Sequence, residues 1–164
     1  MKILNAGQNK IFNENCLPLK PLIPFIFCFG LIGYAKAQPF TLEGTASAID
    51  GDTIIINSYK IRLEGVSAPE LSEEGGNQAK LAMQTILKNK NIKCSLSGQK
   101  SYERYVGTCW LGAVDIGALL IMQGMARDCV RYSRGRYRAL ETLSAQHLPL
   151  PKYCLKRSKK AKTN

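Results

Sequence analysis

The sequence predicts an α+β domain: a small five-stranded Greek-key β-barrel with about three helices. Five short apolar runs are separated by turn residues, and a helical pattern follows the third run. Runs of this length and composition indicate β-strands. Three strands, a helix and two further strands, in this order, match a small Greek-key barrel.

The first three strands are predicted within residues 41–66. Residues 41–49 alternate loosely between apolar and polar, residues 54–56 are three isoleucines, and residues 59–66 follow. The pairs Asp50-Gly51 and Asn57-Ser58 separate these runs, and Asp-Gly is a strong hairpin signal. We therefore expect three antiparallel strands joined by tight turns.

A helix is predicted after the chain break at Gly75-Gly76. Its apolar residues recur at helical spacing: Ala79, Ala82, Met83, Ile86 and Leu87. Residues 92–96 and 106–111 then indicate two more strands around a polar loop at 97–102. These strands complete the predicted barrel.

Two further helices are predicted near the end of the domain. Asp115 can cap the first helix, which runs to Met122 and stops at Gly124. The second helix is expected over residues 136–146, with prolines at 149 and 151 ending it.

The two ends of the chain differ in composition from the predicted domain. Residues 1–37 have the features of an export signal: lysines, an apolar run and an A-x-A cleavage site at 35–37. That run is shorter than the roughly 20 residues of a membrane-spanning helix; a retained anchor is the alternative. We expect a signal peptide at 1–37, a domain at 38–151 and a basic tail at 152–164. The expected product is a secreted or periplasmic monomer without stable membrane insertion.

Positive charge dominates the chain, with 23 Lys and Arg against 12 Asp and Glu, a formal net charge of +11. An exported domain this basic is expected to meet polyanions, nucleic acid first and an anionic envelope surface second. A basic rim for such a partner could comprise Lys60, Arg127, Arg131, Arg134, Arg136 and Arg138. The alternative is that each of these is simply a solvated charge. The single histidine, His147, is assigned no role.

Four cysteines follow the predicted signal: Cys94, Cys109, Cys129 and Cys154. An even number in an exported chain favours disulfides, and no C-x-x-C spacing supports zinc. Cys94 and Cys109 lie symmetrically on the two strands that flank the polar loop, where directly opposed residues can be bridged. We therefore predict the pairs Cys94–Cys109 and Cys129–Cys154.

Charged residues concentrate between positions 50 and 70, in Asp50-Gly51-Asp52-Thr53 and in the segment from Arg62 to Glu70. Neighbouring carboxylates repel unless a cation or an arginine lies between them. Carboxylates that hold a metal, beside an arginine, are equipped to bind a phosphodiester. The alternatives are a structural turn at Asp50 and Asp52, an Arg62–Glu70 ion pair, and a solvated Arg104.

These motifs resemble the staphylococcal nuclease (thermonuclease) family. The resemblance rests on Ile49-Asp50-Gly51-Asp52-Thr53, Ile61-Arg62-Leu63, Ala68-Pro69-Glu70, Tyr102-Glu103-Arg104, Val106-Gly107, Gln123-Gly124-Met125-Ala126 and Tyr132-Ser133-Arg134-Gly135-Arg136-Tyr137. It covers most of residues 41–140. It implies an OB-fold barrel with added helices.

The resemblance also implies a role for each site residue. Calcium would be held by Asp52, with Asp50 nearby, the carbonyl of Ala68, and position 67. Glu70 would orient or deprotonate the attacking water, and Arg62 and Arg104 would grip the scissile phosphate. Tyr102 and Tyr132 fall where the family binds its nucleotide, although each could equally be packing.

Several positions depart from the family pattern. Ser67 stands where an aspartate is usual, so the metal site loses one negative charge. Lys100 replaces an acidic residue, Glu103 replaces a glycine, and Val130 stands at a tyrosine position of the best-known member. Glu64, two residues after Arg62 on a strand, could face the same side and replace the missing carboxylate.

Together these features predict an exported, calcium-assisted nuclease that cleaves DNA and RNA with little sequence preference. The alternative is a non-catalytic OB-fold module that binds single-stranded nucleic acid or another polyanion, its metal site lost at Ser67. A structural envelope protein is a third class, and it would neither cleave nor bind in a salt-sensitive way.

Overall fold

Five strands close into a mixed barrel in the computed structural model, which describes residues 38–155. The strands are β1 (Phe40–Ala48), β2 (Thr53–Ile56), β3 (Tyr59–Leu63), β4 (Val66–Ser67), β5 (Asn91–Ser101), β6 (Arg104–Leu111), β7 (Val114–Asp115) and β8 (Arg127–Asp128). The helices are α1 (Gly76–Leu87), α2 (Ile116–Met122), α3 (Val130–Ser133) and α4 (Leu143–Gln146), with 3₁₀ turns at Arg138–Leu140 and Lys152–Cys154.

The barrel closes because β3 pairs with β6. β1 lies between β2 and β5, β2 pairs with β3, and β5 pairs with β6, all antiparallel. The closing β3–β6 pair is parallel and sets Arg62 opposite Val106. A closed five-stranded barrel with helices confirms the predicted OB-fold, α+β class. Closure also brings the strand of Arg62 beside the strand that begins at Arg104.

The barrel core contains the alternating apolar residues of the strands and the inner face of α1. Ile54, Ile56 and Ile61 have no exposed surface, and Met83 of α1 packs in the same cluster. Each such side chain contributes about 1.5–3 kcal/mol by its removal from water. The core therefore supports the β1–β2 turn and the β3 strand, which carry the charged motif.

The predicted third strand is wrong beyond Leu63. Residues 59–66 do not form one strand, because Gly65 adopts a left-handed φ of 76° and ends it. A side chain at Gly65 would also collide with the backbone of Ser133. The chain then restarts as β4, which pairs with β8 in a separate two-stranded sheet. This break turns residues 67–70 away from the barrel strand.

The predicted helix over residues 136–146 is also wrong. The segment contains a 3₁₀ turn and the short helix α4, with Glu141 in an extended conformation between them. Glu141 is held there because its Oε1 accepts the backbone N–H of Asp128 at 2.7 Å. Thr142 then caps α4 by accepting from the N–H of Ala145.

The polar loop predicted at 97–102 is mostly strand. β5 and β6 extend to Ser101 and Arg104, with a register shift between Leu96 and Lys100. Tyr102 lies at the turn with a positive φ of 55°. The longer hairpin therefore carries Tyr102 and Arg104 together.

Asp115 caps α2, as predicted. Its Oδ1 accepts the N–H groups of Gly117 at 2.8 Å and Ala118 at 3.3 Å. Its Oδ2 accepts the hydroxyl proton of the buried Tyr137 at 2.7 Å. Burial and this hydrogen bond raise the pKa of Tyr137 above its usual value. One carboxylate thus joins the start of α2 to the segment after α3.

Both predicted disulfides are present in the structure. Cys94 and Cys109 are directly opposed in the β5–β6 register and are bridged, and Cys129 is bridged to Cys154. The second bridge attaches residues 152–154, the start of the predicted basic tail, to the start of α3. Residues 156–164 of that tail and the predicted signal peptide at 1–37 lie outside the described residues. No helix within 38–155 is long and apolar enough to cross a membrane.

Removing the Cys94–Cys109 bridge is expected to lower the free energy of unfolding by about 3 kcal/mol, from the lost constraint on the unfolded chain. The sequence separation of the bridged residues is 15. The measurement is urea denaturation of the oxidised protein and of the double variant Cys94→Ala/Cys109→Ala. Peptide mapping without reduction is the control. A peptide joining Cys94 to Cys129 or Cys154 would contradict the pairing.

Candidate active site

The β1–β2 turn presents two aspartates. The turn is closed by hydrogen bonds from the N–H groups of Ile49 and Asp50 to the carbonyl of Thr53. Within it, Asp50 Oδ1 accepts the backbone N–H of Asp52 at 3.0 Å. The turn therefore holds both carboxylates in a defined arrangement.

Asp52 is buried, with 6% of its surface exposed, and both of its carboxylate oxygens have partners. Oδ1 forms an ion pair with Nη1 of Arg62, and Oδ2 accepts the N–H of Ala68 at 2.9 Å. Burial raises the pKa of Asp52 to about 6, although Arg62 and the Ala68 N–H act in the opposite direction. A buried carboxylate of this kind would be stabilised by further positive charge.

Gly51 allows this turn to approach the rest of the site closely. A Cβ at Gly51 would lie 2.5 Å from the Cβ of Ala68 and 2.8 Å from the Cβ of Ala79 in α1. Such distances are too short for any side chain. The lack of a side chain at position 51 therefore lets the turn lie against Ala68, whose N–H donates to Asp52.

The two arginines reach the site from different strands. Arg62 lies on β3, where Thr53 is its register partner on β2. Arg104 begins β6, and its Nη1 donates to Oγ1 of the buried Thr53 at 3.1 Å. Thr53 therefore orients Arg104 beside the strand of Arg62.

Glu70 shares a cavity with both arginines. A cavity of about 580 Å³ is lined by Arg62, Glu70, Tyr102, Arg104 and Tyr132, among others. A neighbouring cavity of about 340 Å³ is lined by Asp50, Thr53, Lys60, Tyr102, Glu103 and Arg104 together with Ile49. Glu70 is exposed, and its backbone N–H donates to Oε2 of Glu73 at 2.8 Å. The carboxylate of Glu70 is thus positioned at a solvent-accessible cleft.

The two tyrosines differ in their surroundings. Tyr102, at the tip of the β5–β6 hairpin, is 89% exposed, and Tyr132 in α3 is 48% exposed. The guanidinium of Arg131 lies 5.6 Å from the ring centroid of Tyr132. Both tyrosines line the cavity and are exposed, so neither serves mainly to fill the core.

Ser67 lies in β4 and is buried, with Arg127 as its register partner on β8. Glu64, three residues before Ser67, lines the larger cavity together with Arg62 and Glu70. The backbone of Glu64 is fixed on both sides, since its N–H donates to the Gly107 carbonyl and its carbonyl accepts from Arg136.

The chemical type of the site's donor atoms suits a hard cation. The carboxylates of Asp50 and Asp52, the hydroxyl of Ser67 and the carbonyl of Ala68 are all oxygens, which calcium and magnesium prefer. Their charge is low, because two carboxylates are present and one of them already pairs with Arg62. Among residues 38–155, no group of three or more His, Cys, Asp or Glu side chains is clustered for a metal.

Two members of the predicted basic rim also bond to other parts of the fold. Arg127 pairs with Glu141 and donates to the carbonyl of Leu148 at 3.2 Å. Arg136 donates to the hydroxyl of Tyr137 at 2.7 Å and to Thr108 at 3.2 Å. Lys60 lines the smaller cavity. Every member of the rim except the half-buried Arg127 is exposed.

Two roles were not predicted from the sequence. Thr53 was part of the recognised motif, but its bond to Arg104 spans 51 positions and has no local signal. Arg136 was considered as a member of a basic rim or a solvated charge, and its guanidinium also donates to the Glu64 carbonyl beside the site at 3.3 Å. The pairing of Tyr137 with Asp115 likewise depends on tertiary packing.

Comparison with known proteins finds relatives at 27–34% identity, and two of the three described below are named as nucleases. Over 113 residues the chain is 34% identical to "Succinoglycan biosynthesis protein ExoI" of Rhizobium meliloti, covering 62% of this chain and 58% of that protein. It is 29% identical over 89 residues to an "Uncharacterized endonuclease" of Haemophilus influenzae, covering 51% of this chain and 50% of the relative. It is 27% identical over 84 residues to "Probable staphylococcal-like nuclease CAN1" of Oryza sativa subsp. japonica, covering 51% of this chain and 25% of that protein. The chain thus spans about half, or less, of the length of these relatives.

The family model described as staphylococcal nuclease homologue matches residues 60–147, more than half of the chain. The matched region includes Arg62, Glu70 and Arg104 but begins after Asp50 and Asp52. The match, the closed barrel and the nuclease names of relatives agree with the family predicted from the sequence. The chain belongs to the staphylococcal nuclease homologue family.

Proposed function

We propose that this protein is an exported, calcium-assisted nuclease that hydrolyses phosphodiester bonds of DNA and RNA with low sequence specificity. The main support is one observation: Arg62, Glu70 and Arg104 line a single cavity, beside the buried Asp52. Two guanidinium groups and a carboxylate at one cleft suit a reaction in which water attacks phosphorus and negative charge develops on the phosphate oxygens. Membership of a nuclease family supports the same assignment.

In the proposed reaction, a water oxygen attacks phosphorus as the bond to the 5′ oxygen breaks. Glu70 orients this water and accepts its proton, and the departing oxygen takes a proton from solvent. Arg62 and Arg104 bind the non-bridging oxygens and stabilise the charge that develops on them. The products would be a 3′-phosphate and a free 5′-hydroxyl, as the family resemblance implies.

Asp50, Asp52, Ser67 and the Ala68 carbonyl are the proposed calcium ligands. When bound, calcium would supply positive charge to the phosphate and lower the energy of the buried Asp52 carboxylate. The ion pair between Asp52 and Arg62 supplies part of this charge within the protein itself. Because Ser67 adds no charge, we propose weak calcium binding, with Kd of about 10⁻⁴–10⁻³ M.

Tyr102 and Tyr132 are proposed to contact the nucleotide, and the exposed arginines to attract the strand. The two disulfides are compatible with an oxidising compartment outside the cytosol. Together with the export-type composition of residues 1–37, they support a secreted or periplasmic location.

The test is incubation of the oxidised protein with single-stranded DNA, duplex DNA and RNA, in calcium and in chelator, followed by gel electrophoresis. We expect cleavage of all three in calcium and little in chelator. Salt-sensitive binding without cleavage at any calcium concentration would instead identify a binding module whose metal site was lost at Ser67. If the protein neither cleaves nor binds any of these nucleic acids, the result would indicate a structural protein.

A further inference from the structure

Tyr153 lines the larger cavity, which is also lined by Arg62 and Arg104. It is the middle residue of the 3₁₀ turn Lys152–Cys154, which we call the C-terminal turn. The family match ends at residue 147, so this side chain comes from a segment that the family model does not include. The presence of Tyr153 in the cavity is therefore not explained by the family match.

The ring of Tyr153 is accessible. Tyr153 is 49% exposed, whereas the next residue, Cys154, is fully buried. Tyr132 is also exposed and lines the same cavity. A half-exposed tyrosine at a cleft can stack on a flat ligand at a low entropic cost, because its side chain has few rotatable bonds. The cavity therefore offers Tyr153 as an aromatic surface beside its two guanidinium groups.

A disulfide and a hydrogen bond hold the C-terminal turn in place. Cys154 is bridged to Cys129, with a Cα–Cα distance of 4.4 Å. The N–H of Cys154 donates to the carbonyl of Pro151 at 2.9 Å, which closes the turn around Tyr153. The turn packs against α3. The backbone that carries Tyr153 is thus fixed on the side of the cavity.

Cys129 connects the C-terminal turn to the end of β3. Its N–H donates at 2.9 Å to the carbonyl of Gly65, three residues after Arg62. Its carbonyl accepts the N–H of Tyr132 at 2.9 Å. Cys129 and Gly65 both line the cavity themselves. One residue therefore positions two tyrosines relative to Arg62: Tyr132 through the backbone and Tyr153 through the disulfide.

We propose that Tyr153 stacks on a base of the nucleic acid substrate in the larger cavity, and that the Cys129–Cys154 disulfide positions the ring there. This inference rests on the proposed nuclease function and adds a residue to its substrate site. Every base has a flat face that can stack on an aromatic ring, while Arg62 and Arg104 bind the neighbouring phosphate. The disulfide holds the turn before substrate arrives, so less conformational entropy is lost on binding.

The test compares two labelled phosphorothioate tetranucleotides of equal length and charge by fluorescence anisotropy. One probe carries thymine on every sugar and the other is abasic, and low salt makes binding through charge alone measurable. Tyr153→Ala should weaken binding of the thymine probe by about fivefold or more, the loss expected when one base no longer stacks. Binding of the abasic probe should stay near the wild-type value. Tyr153→Phe, which keeps the ring, should bind both probes like wild type.

A second set of variants tests the disulfide. Cys129→Ala/Cys154→Ala should weaken binding of the thymine probe about as much as Tyr153→Ala does. Adding Tyr153→Ala to this double variant should cause no further loss, because both changes remove the same contact. Cys94→Ala/Cys109→Ala is the matched control: it removes the bridge of the β5–β6 hairpin and should bind like wild type. Circular dichroism checks the fold of each variant, and peptide mapping checks the remaining bridge.

Wild-type binding of the thymine probe by Tyr153→Ala would overturn the inference, even if the wild type cleaves DNA. Equal weakening of both probes would also overturn it, because the ring would then support phosphate binding or the fold and not a base. If Cys129→Ala/Cys154→Ala binds like wild type, the disulfide does not position the ring. If the wild type cleaves nothing, the nuclease proposal fails separately, and the two probes still decide whether Tyr153 binds a base.

Discussion

Replacing Arg104 by lysine is expected to lower kcat by about 100-fold or more while changing KM only slightly. Arg104 is oriented by the hydroxyl of Thr53 at 3.1 Å and lines the same cavity as Glu70. Lysine keeps the charge but loses the planar fork that bonds two phosphate oxygens at once. The loss should therefore fall on the transition state and not on substrate binding.

Steady-state kinetics on a fluorescent oligonucleotide would measure this split between kcat and KM. Arg62→Lys should show a similar loss, and it also disturbs the ion pair with Asp52. Lys88→Ala, at the exposed C-terminal end of α1, is the lysine control and should keep wild-type kinetics. Full activity in Arg104→Lys would mean that the reacting phosphate binds elsewhere on the protein.

Restoring a carboxylate at position 67 is expected to tighten calcium binding by about tenfold or more, because affinity follows the charge of the ligand set. Ser67 is buried and directly precedes Ala68, whose N–H donates to Asp52. Ser67→Asp should also raise cleavage at low calcium. Asp52→Asn, which removes the proposed principal ligand, should abolish calcium binding and cleavage together.

Calorimetric titration with calcium, beside a nuclease assay, measures both effects. Ser67→Asn is the matched control, because it has nearly the size of aspartate without the charge, and it should bind calcium no better than wild type. A buried aspartate without a cation destabilises the fold, so calcium should raise the Tm of Ser67→Asp more than that of wild type. If Ser67→Asp binds calcium tightly but cuts nothing, the catalytic assignment fails in favour of a binding module.

Local chemistry explains why much of the barrel was predictable. The isoleucine run at β2, the Asp-Gly turn and the Asp115 cap each depend on residues a few positions apart. The Cys94–Cys109 bridge followed from the symmetry of one hairpin. Strand period, turn preference and capping are short-range properties, so the sequence expresses them directly.

The errors arose where distant segments override local preference. Residues 59–66 contain a strand pattern, but contact with Ser133 and the left-handed Gly65 end it early. Residues 136–146 contain a helical pattern, but Glu141 is held extended by the N–H of Asp128. Such contacts join positions more than ten residues apart and leave no periodic signal.

For the site, the residue types could be read from the motifs: oxygen ligands, two arginines, a carboxylate and two tyrosines. Which of these residues meet depends on how the chain folds. The parallel β3–β6 closure brings the strand of Arg62 beside that of Arg104, and Thr53 then fixes Arg104 across 51 positions. The rings of Phe40, Tyr59 and Tyr105 likewise meet from three different strands. Barrel closure is a long-range event, so the contacts it creates are visible only in the folded chain.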